Sequence, residues 1–305
     1  MVGLGKQERR AAWDASQRRA RRRRRAQQRR RATTAALGLL VALCAVIVVT
    51  EESSGHARRR HSHRALAAAR TATHAIERPR HVIALGAIPP ARPGRAHVFL
   101  HGPTAGRMVA LTFDDGFCPR CVARIVHTLL RTGAHATFFP NGGYAASWDP
   151  QAKQIRMLVE RGQVIVGNHT FHHVDAPVVG SAAFSADLRE NEQWIERTFG
   201  LTGRPFFRPP YGAYDGGTLA AAGAAGYTRV IMWSGTVADS NLRTIPYILH
   251  AIRIWARPGA IILMHGNYPP TSIALPRILA LLRRMRLRPV TVAELLGGSP
   301  YRPAK

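Results

Sequence analysis

Between residues 106 and 298, short apolar runs alternate with segments of helical period. That alternation restricts the chain to a parallel sheet covered by helices, open or closed into a barrel. Runs at 108–112, 136–139, 164–167, 206–208, 228–233, 260–264 and 288–290 read as strands. Helical periods fill 119–131, 150–161, 185–199, 217–225, 245–255 and 275–286. Seven strands favour closure, so the expected fold class is α/β with a barrel.

The residues before this region cannot contribute to such a core. Residues 1–31 carry 13 Lys and Arg against Glu8 and Asp14, and residues 32–50 are almost wholly apolar. That apolar length is about the 20 residues a helix needs to cross a bilayer core. With the basic block on its N-terminal side, the positive-inside rule makes it a single-pass transmembrane signal anchor, the following chain lying outside the cytoplasm. A cleaved signal peptide would need an A-x-A-like site, which Thr50-Glu51-Glu52-Ser53 does not supply. A lipid anchor at Cys44 competes poorly, because apolar residues follow it. The basic tail could bind nucleic acid in isolation; fused to an apolar span, it is a topology signal that also suits anionic lipid head groups. Residues 51–105, rich in Arg, His, Ala and Pro, read as a linker with one strand at 96–100, and 299–305 as a C-terminal tail. The net charge of +27 divides as +11 before the span, +6 in the linker and +10 from Gly106 onward, so the folded region is itself basic, which suits work near an anionic cell wall.

Barrels of this kind place active sites at the C-terminal ends of their strands. The sequence puts polar clusters there repeatedly. Met108 to Leu111 leads into Thr112-Phe113-Asp114-Asp115-Gly116, and Val164 to Gly167 into Asn168-His169-Thr170-Phe171-His172-His173. Phe206-Phe207 precedes Arg208-Pro209-Pro210-Tyr211-Gly212, and Ile261 to Met264 precedes His265-Gly266. An isolated Asp-Asp pair is usually a solvated turn; four strand ends converging on one rim are a site. Adjacent strand residues face opposite ways, so both carboxylates reach that site only if the backbone bends after Asp114.

His169 and His173, spaced i, i+4, would lie on one side of a helical turn, the arrangement by which two His bind one Zn²⁺. With one Asp carboxylate they form an open, catalytic kind of metal site, while His172 falls on another side of the turn. Hydrolysis there also needs a base and an acid. The second carboxylate of the pair suits the base, and His265, on a far strand end, suits the acid. Arg208 could keep the base ionised through a bidentate contact, and the backbone N–H of Tyr211 could meet an oxyanion. These parts describe metal-assisted hydrolysis of an acyl group.

The motifs T-F-D-D-G at 112–116, H-T-F-H-H at 169–173 and R-P-P-Y-G at 208–212, in that order, resemble those of the polysaccharide deacetylases, carbohydrate esterase family 4. The resemblance covers about 106–298 and implies a distorted (β/α) barrel. It implies Asp114 as general base, Asp115, His169 and His173 as ligands of a divalent metal, Zn²⁺ foremost, Arg208 as the base's tether, Tyr211 as oxyanion donor and His265 as acid. The implied activity is removal of N-acetyl groups from an N-acetylglucosamine polysaccharide, peptidoglycan or a chitin-like glycan. The fourth motif departs from the family: Asp239 can orient His265, but no Trp follows it, which leaves Trp233 and Leu263 to line the acetyl pocket. A catalytically silent glycan-binding barrel and an O-acetyl esterase are the competing functions. Cys118-Pro119-Arg120-Cys121 fits half a zinc site, a redox pair or a disulfide; outside the cytoplasm a disulfide pinning the loop is the default.

The order of basic tail, apolar span and polar linker generates a topology test. A reporter fused after Lys305 should be active only outside the cytoplasm; cytoplasmic activity would contradict the anchor.

Overall fold

The computed structural model describes residues 91–297, so the tail, the expected span at 32–50 and most of the linker lie outside the described residues. Among the described residues no helix is long and apolar enough to cross a membrane.

Among the described residues nine strands build the fold: β1 His97–Phe99, β2 Met108–Asp115, β3 Ala136–Pro140, β4 Val164–Val166, β5 Phe206–Phe207, β6 Arg229–Ile231, β7 Gly235–Thr236, β8 Ile261–His265 and β9 Arg288–Val290. All strand pairings are parallel, yet the expected single barrel is divided into two sheets. One has the order β4-β3-β2-β8-β7, with β9 also on β2; the other is β1-β6-β5. Isolated bridges Asn168–Phe207 and His101–Ala260 join them. Close packing explains the first seam: Asn168 N–H donates to the Phe206 carbonyl and Arg208 N–H to the Asn168 carbonyl, both at 2.9 Å, and a Cβ on Gly167 would lie 3.0 Å from the Phe206 carbonyl oxygen. β1 moves the start of the folded region into the expected linker, since His97 to Phe99 pair with Arg229 to Ile231 and Gly94 N–H meets the Gly223 carbonyl at 3.0 Å.

The period of two along the strands separates two interiors. Val109, Leu111 and Phe113 of β2, with Ile262 and Met264 of β8, face helices Pro119–Thr132, Ala152–Glu160, Ile245–Trp255 and Pro269–Arg284 in the larger apolar cluster. Ala110 and Ile261 turn the other way, with Phe139, Ile165, Phe206 and Ile231. Continuing that inward register, Thr112 and Asp114 on β2 and Leu263 and His265 on β8 point into the space above this apolar floor.

Two helices begin earlier than their periods imply. Pro269–Arg284 runs through Pro276, whose ring is on the exposed side; in the sequence that proline looks like a first-turn residue and hides the turn before it. Ala176–Phe199 includes a break at Gly180 (φ 79°), which interrupts the apolar period upstream of Ser185.

Candidate functional site

β2 ends in the bend the paired carboxylates require: Asp115 has φ 66°, so its side chain swings toward the side Asp114 already faces. Gly116 continues the turn at φ 115°, where a Cβ would lie 2.0 Å from Trp148 Nε1. The Trp148 indole is buried and donates to the Asp115 carbonyl at 2.7 Å, fixing the bend from below.

His169 and His173 meet Asp115 by a route other than the expected helical turn. Residues 169–175 form a loop without helix, in which Thr170 (φ 63°) and His173 (φ 56°) adopt left-handed conformations that turn both rings inward. Five of the six non-glycine residues with positive φ among the described residues, Asp115, Thr170, His173, Tyr211 and Ala238, sit at the end of β2 or on the segments that follow strand ends around this rim. Such strain, about 1–3 kcal/mol each, persists only where surrounding structure enforces it and gathers at functional sites. Here buried amides enforce it: Asn141 Nδ2 donates to the His169 and Thr170 carbonyls at 2.6 and 2.8 Å, and Asn168 Oδ1 accepts from Thr170 N–H at 2.9 Å.

The cluster has the polarity of a cation site. Asp115 Oδ1 lies 3.4 Å from His169 Nε2 and 3.3 Å from His173 Nε2, and it is buried without a hydrogen-bond partner. His169 Nδ1 is 2.6 Å from the Arg208 carbonyl, which can only accept, so the ring proton belongs on Nδ1 and the Nε2 lone pair faces the carboxylate. Two electron-rich atoms aimed at each other in a buried space are what a divalent cation between them resolves. Burial alone would favour the neutral acid at Asp115; with no cation between them, protonation of His169, His173 and His265 supplies the positive charge that holds it far below the usual carboxylate range. The residues therefore fit a metal. His172 points elsewhere, its Nδ1 2.8 Å from Asp187 Oδ2.

Asp114 has different company. Arg208 Nη1 donates to its Oδ1 at 2.7 Å, and its Oδ2 is 3.7 Å from His169 Nε2. The contact is single where a bidentate one was expected, because the other guanidinium donors go to Ile231 O (2.9 Å), Thr112 Oγ1 (2.6 Å) and Met232 O (3.0 Å). Nor is His265 on a far strand: β8 neighbours β2, and His265 is in register with Asp114. His265 Nδ1 is 2.8 Å from Asp239 Oδ1, while Asp239 Oδ2 accepts from His265 N–H and Thr271 Oγ1. Burial would depress the His265 imidazole, but Asp239, then Asp115 and Asp114, raise it to about 9.

Tyr211, at φ 61°, sets its ring edge-on to His173 with centroids 4.4 Å apart. Gly212 makes room for Trp233, whose ring a Cβ would meet at 2.8 Å. Leu263 is buried, belongs to neither main apolar cluster and shares the inward register of β8 with His265, while half-buried Trp233 lies under the Arg208 guanidinium, its ring centroid 5.8 Å away. Cys118 and Cys121 are disulfide-bonded, with Cα atoms 5.2 Å apart.

Sequence reasoning missed Asn267. Its Nδ2 donates to Asp115 Oδ2 at 2.7 Å, and its Oδ1 accepts from the N–H groups of Gly116 (3.2 Å) and Phe117 (3.0 Å). Its signal was its place, directly after His265-Gly266 at a strand end.

A family model described as polysaccharide deacetylase matches residues 101–230. A chitooligosaccharide deacetylase of Rhizobium leguminosarum bv. trifolii is 31% identical over 194 residues, 64% of this chain and 85% of that protein. Among solved structures, the Bc1960 peptidoglycan N-acetylglucosamine deacetylase has a TM-score of 0.61 at 27% identity, covering 67% of this chain and 95% of that one. A mutant of BA3943 from Bacillus anthracis, described as a CE4 family pseudoenzyme with restored enzymatic activity, has a TM-score of 0.58 at 26% identity, covering 66% of this chain and 71% of that one.

The Asp239–His265 pair generates a direct titration test. In metal-free protein the His265 imidazole should titrate well above the ordinary histidine value by NMR. Asp239→Asn should lower its pKa by about 1–3 units, because the opposite charge that favours the imidazolium is gone; an unmoved titration would contradict the pairing.

Proposed function

The chain belongs to the polysaccharide deacetylase family, and on that premise we propose that it is a metal-dependent hydrolase removing N-acetyl groups from an N-acetylglucosamine-containing glycan outside the cytoplasm. The observation that carries the reading is the buried, unpartnered Asp115 Oδ1 between two imidazoles, with a tethered carboxylate and a carboxylate-paired histidine beside it. Similarity to chitooligosaccharide and peptidoglycan N-acetylglucosamine deacetylases supports the substrate class.

Asp115, His169 and His173 would hold the cation, and their nitrogen and oxygen donors suit Zn²⁺. Bound there, such a cation would supply Lewis-acid polarisation of the acetyl carbonyl and a lowered pKa for the attacking water. Asp114, held in place by Arg208, takes the proton from the attacking water. Tyr211 presents its backbone N–H to the oxyanion that develops on the carbonyl. His265, kept protonated by Asp239, gives its proton to the departing nitrogen, and Trp233 and Leu263 enclose the acetyl methyl. Amide hydrolysis then leaves a free amine on the sugar and acetate. The expected anchor at 32–50 would keep the domain next to a wall polymer, its basic tail against anionic lipid; nucleic acid has no part in this reading.

Likeness to a pseudoenzyme keeps a silent glycan-binding barrel as the competitor. Acetate release from peptidoglycan, chitooligosaccharide and acetylxylan, measured side by side, separates the readings. Release from an N-acetylated glycan is expected; release from acetylxylan alone would indicate an O-acetyl esterase, and none from any would favour the silent barrel. Asp114→Asn should keep its metal and lose turnover by about 10²–10⁴-fold, whereas Asp115→Asn should lose metal. The reverse pattern would exchange the two roles.

A further inference from the structure

Because every strand pairing is parallel, the N-terminal ends of the strands share one pole of the folded unit, and the rim of Asp115, His169 and His173 lies at the other. The segments that lead into the strands, 91–96, 100–107, 131–135, 160–163, 196–205, 225–229, 253–260 and 283–288, carry 14 Arg against Glu160 and Glu196. The rest of 91–297 carries 8 Lys and Arg against 10 Asp and Glu. The positive charge of the folded region is therefore a property of one pole, whereas a merely Arg-rich composition would have spread over both. Of the 14, only Arg204 and Arg229 are half-buried; the others are exposed.

Helix ends explain part of this asymmetry. Arg131, Arg197, Arg253, Arg283 and Arg284 lie in last turns, where a cation meets the negative end of the helix dipole. The rest lie outside those turns. Arg107 donates to the Met285 and Arg286 carbonyls at 2.6 and 2.7 Å, and Arg204 pairs with Glu192 at 3.0 Å. Arg286 is the sixth residue of positive φ (55°), just past the C-cap of the helix Pro269–Arg284, where glycine is the usual residue. Its side chain is exposed, as are those of Arg283 and Arg284. Two large apolar side chains are exposed on the same pole. Leu100 lies in 100–107, which Gly102 N–H fastens to the Gly259 carbonyl at 2.8 Å, and Ile254 follows Arg253.

A guanidinium matches phosphate oxygens with a two-pronged fork, and exposed apolar side chains set among cations are what an interfacial surface inserts between lipid head groups. A nucleic acid duplex has no use for Leu100 and Ile254. The chain also enters the folded unit at this pole, through 91–96, with 51–90 between it and the apolar 32–50 stretch. We propose that this pole docks on an anionic phospholipid surface, so that the strand ends carrying Asp115, His169 and His173 face away from the bilayer. The docking is independent of what the rim catalyses.

Hydrogen–deuterium exchange of the full-length chain in nanodiscs of phosphatidylcholine, and of phosphatidylcholine mixed equally with phosphatidylglycerol, tests the docking. Only the anionic discs should slow exchange in 100–107, 253–260 and 283–288, with 169–175 at the rim unchanged. Raising the salt from about 0.1 to about 1 M, which cuts the screening length from about 10 to about 3 Å, should remove that protection. Arg283→Gln with Arg286→Gln should lower the docking constant about 30-fold at an unchanged melting temperature, and Arg283→Lys with Arg286→Lys should retain it. Equal protection in both discs, protection that survives high salt, or none in either overturns the proposal. So does protection by a DNA duplex where anionic discs give none, which would make the pole a nucleic-acid surface.

Discussion

The structure depends on one buried cation, Arg208. Its side chain is 0% exposed, and such burial is tolerable only if every donor finds an acceptor. The acceptors come from both sheets: Thr112 and Asp114 on β2, Ile231 at the end of β6 and Met232 just beyond it. Thr112 Oγ1 passes the constraint on by donating to the Ile262 carbonyl of β8. The guanidinium also stacks over Phe139, 4.4 Å from its ring centroid. Removing one partner from such a buried pair typically costs about 3–5 kcal/mol, because the other charge is left stranded. The same bond that closes two sheets around the site therefore also fixes the position of the Asp114 carboxylate.

From that bolt the chemistry divides cleanly between neighbours. The Arg208 carbonyl fixes the His169 tautomer, its guanidinium fixes Asp114, and the bend at Asp115 delivers the second carboxylate to the imidazoles. Two adjacent aspartates thereby acquire opposite environments, one beside a permanent cation and one with an oxygen left for a metal. His265, in register with Asp114 and held by Asp239, sets an imidazole beside that carboxylate on the adjoining strand. A barrel that only bound glycan would have no need for this separation of roles.

Much of this was legible in the sequence because it follows periodicity and strand ends. The apolar runs located seven of the nine strands among the described residues and the expected 96–100 strand an eighth; β7 escaped because Gly235-Thr236 contains no apolar side chain to start a run. What escaped was backbone geometry. The i, i+4 spacing of His169 and His173 has two structural solutions, a helical turn and a loop with left-handed residues, and sequence alone gives Thr170 and His173 no mark of positive φ. Asn267 escaped because a single amide has no chemistry of its own; only its contacts with Asp115, Gly116 and Phe117 give it a role. The single contact between Arg208 and Asp114 could not be foreseen without knowing which carbonyls compete for the guanidinium.

The central claim is that Asp115, His169 and His173 form one divalent-metal site. Zinc-edge X-ray absorption on full-length protein stripped of metal and reloaded with one equivalent of Zn²⁺ tests it directly. The expected result is one tightly held ion per chain with nitrogen and oxygen donors only, lost when His169 and His173 are both changed to Ala. Sulfur donors at the ion, or undiminished binding in the double variant, would contradict the claim.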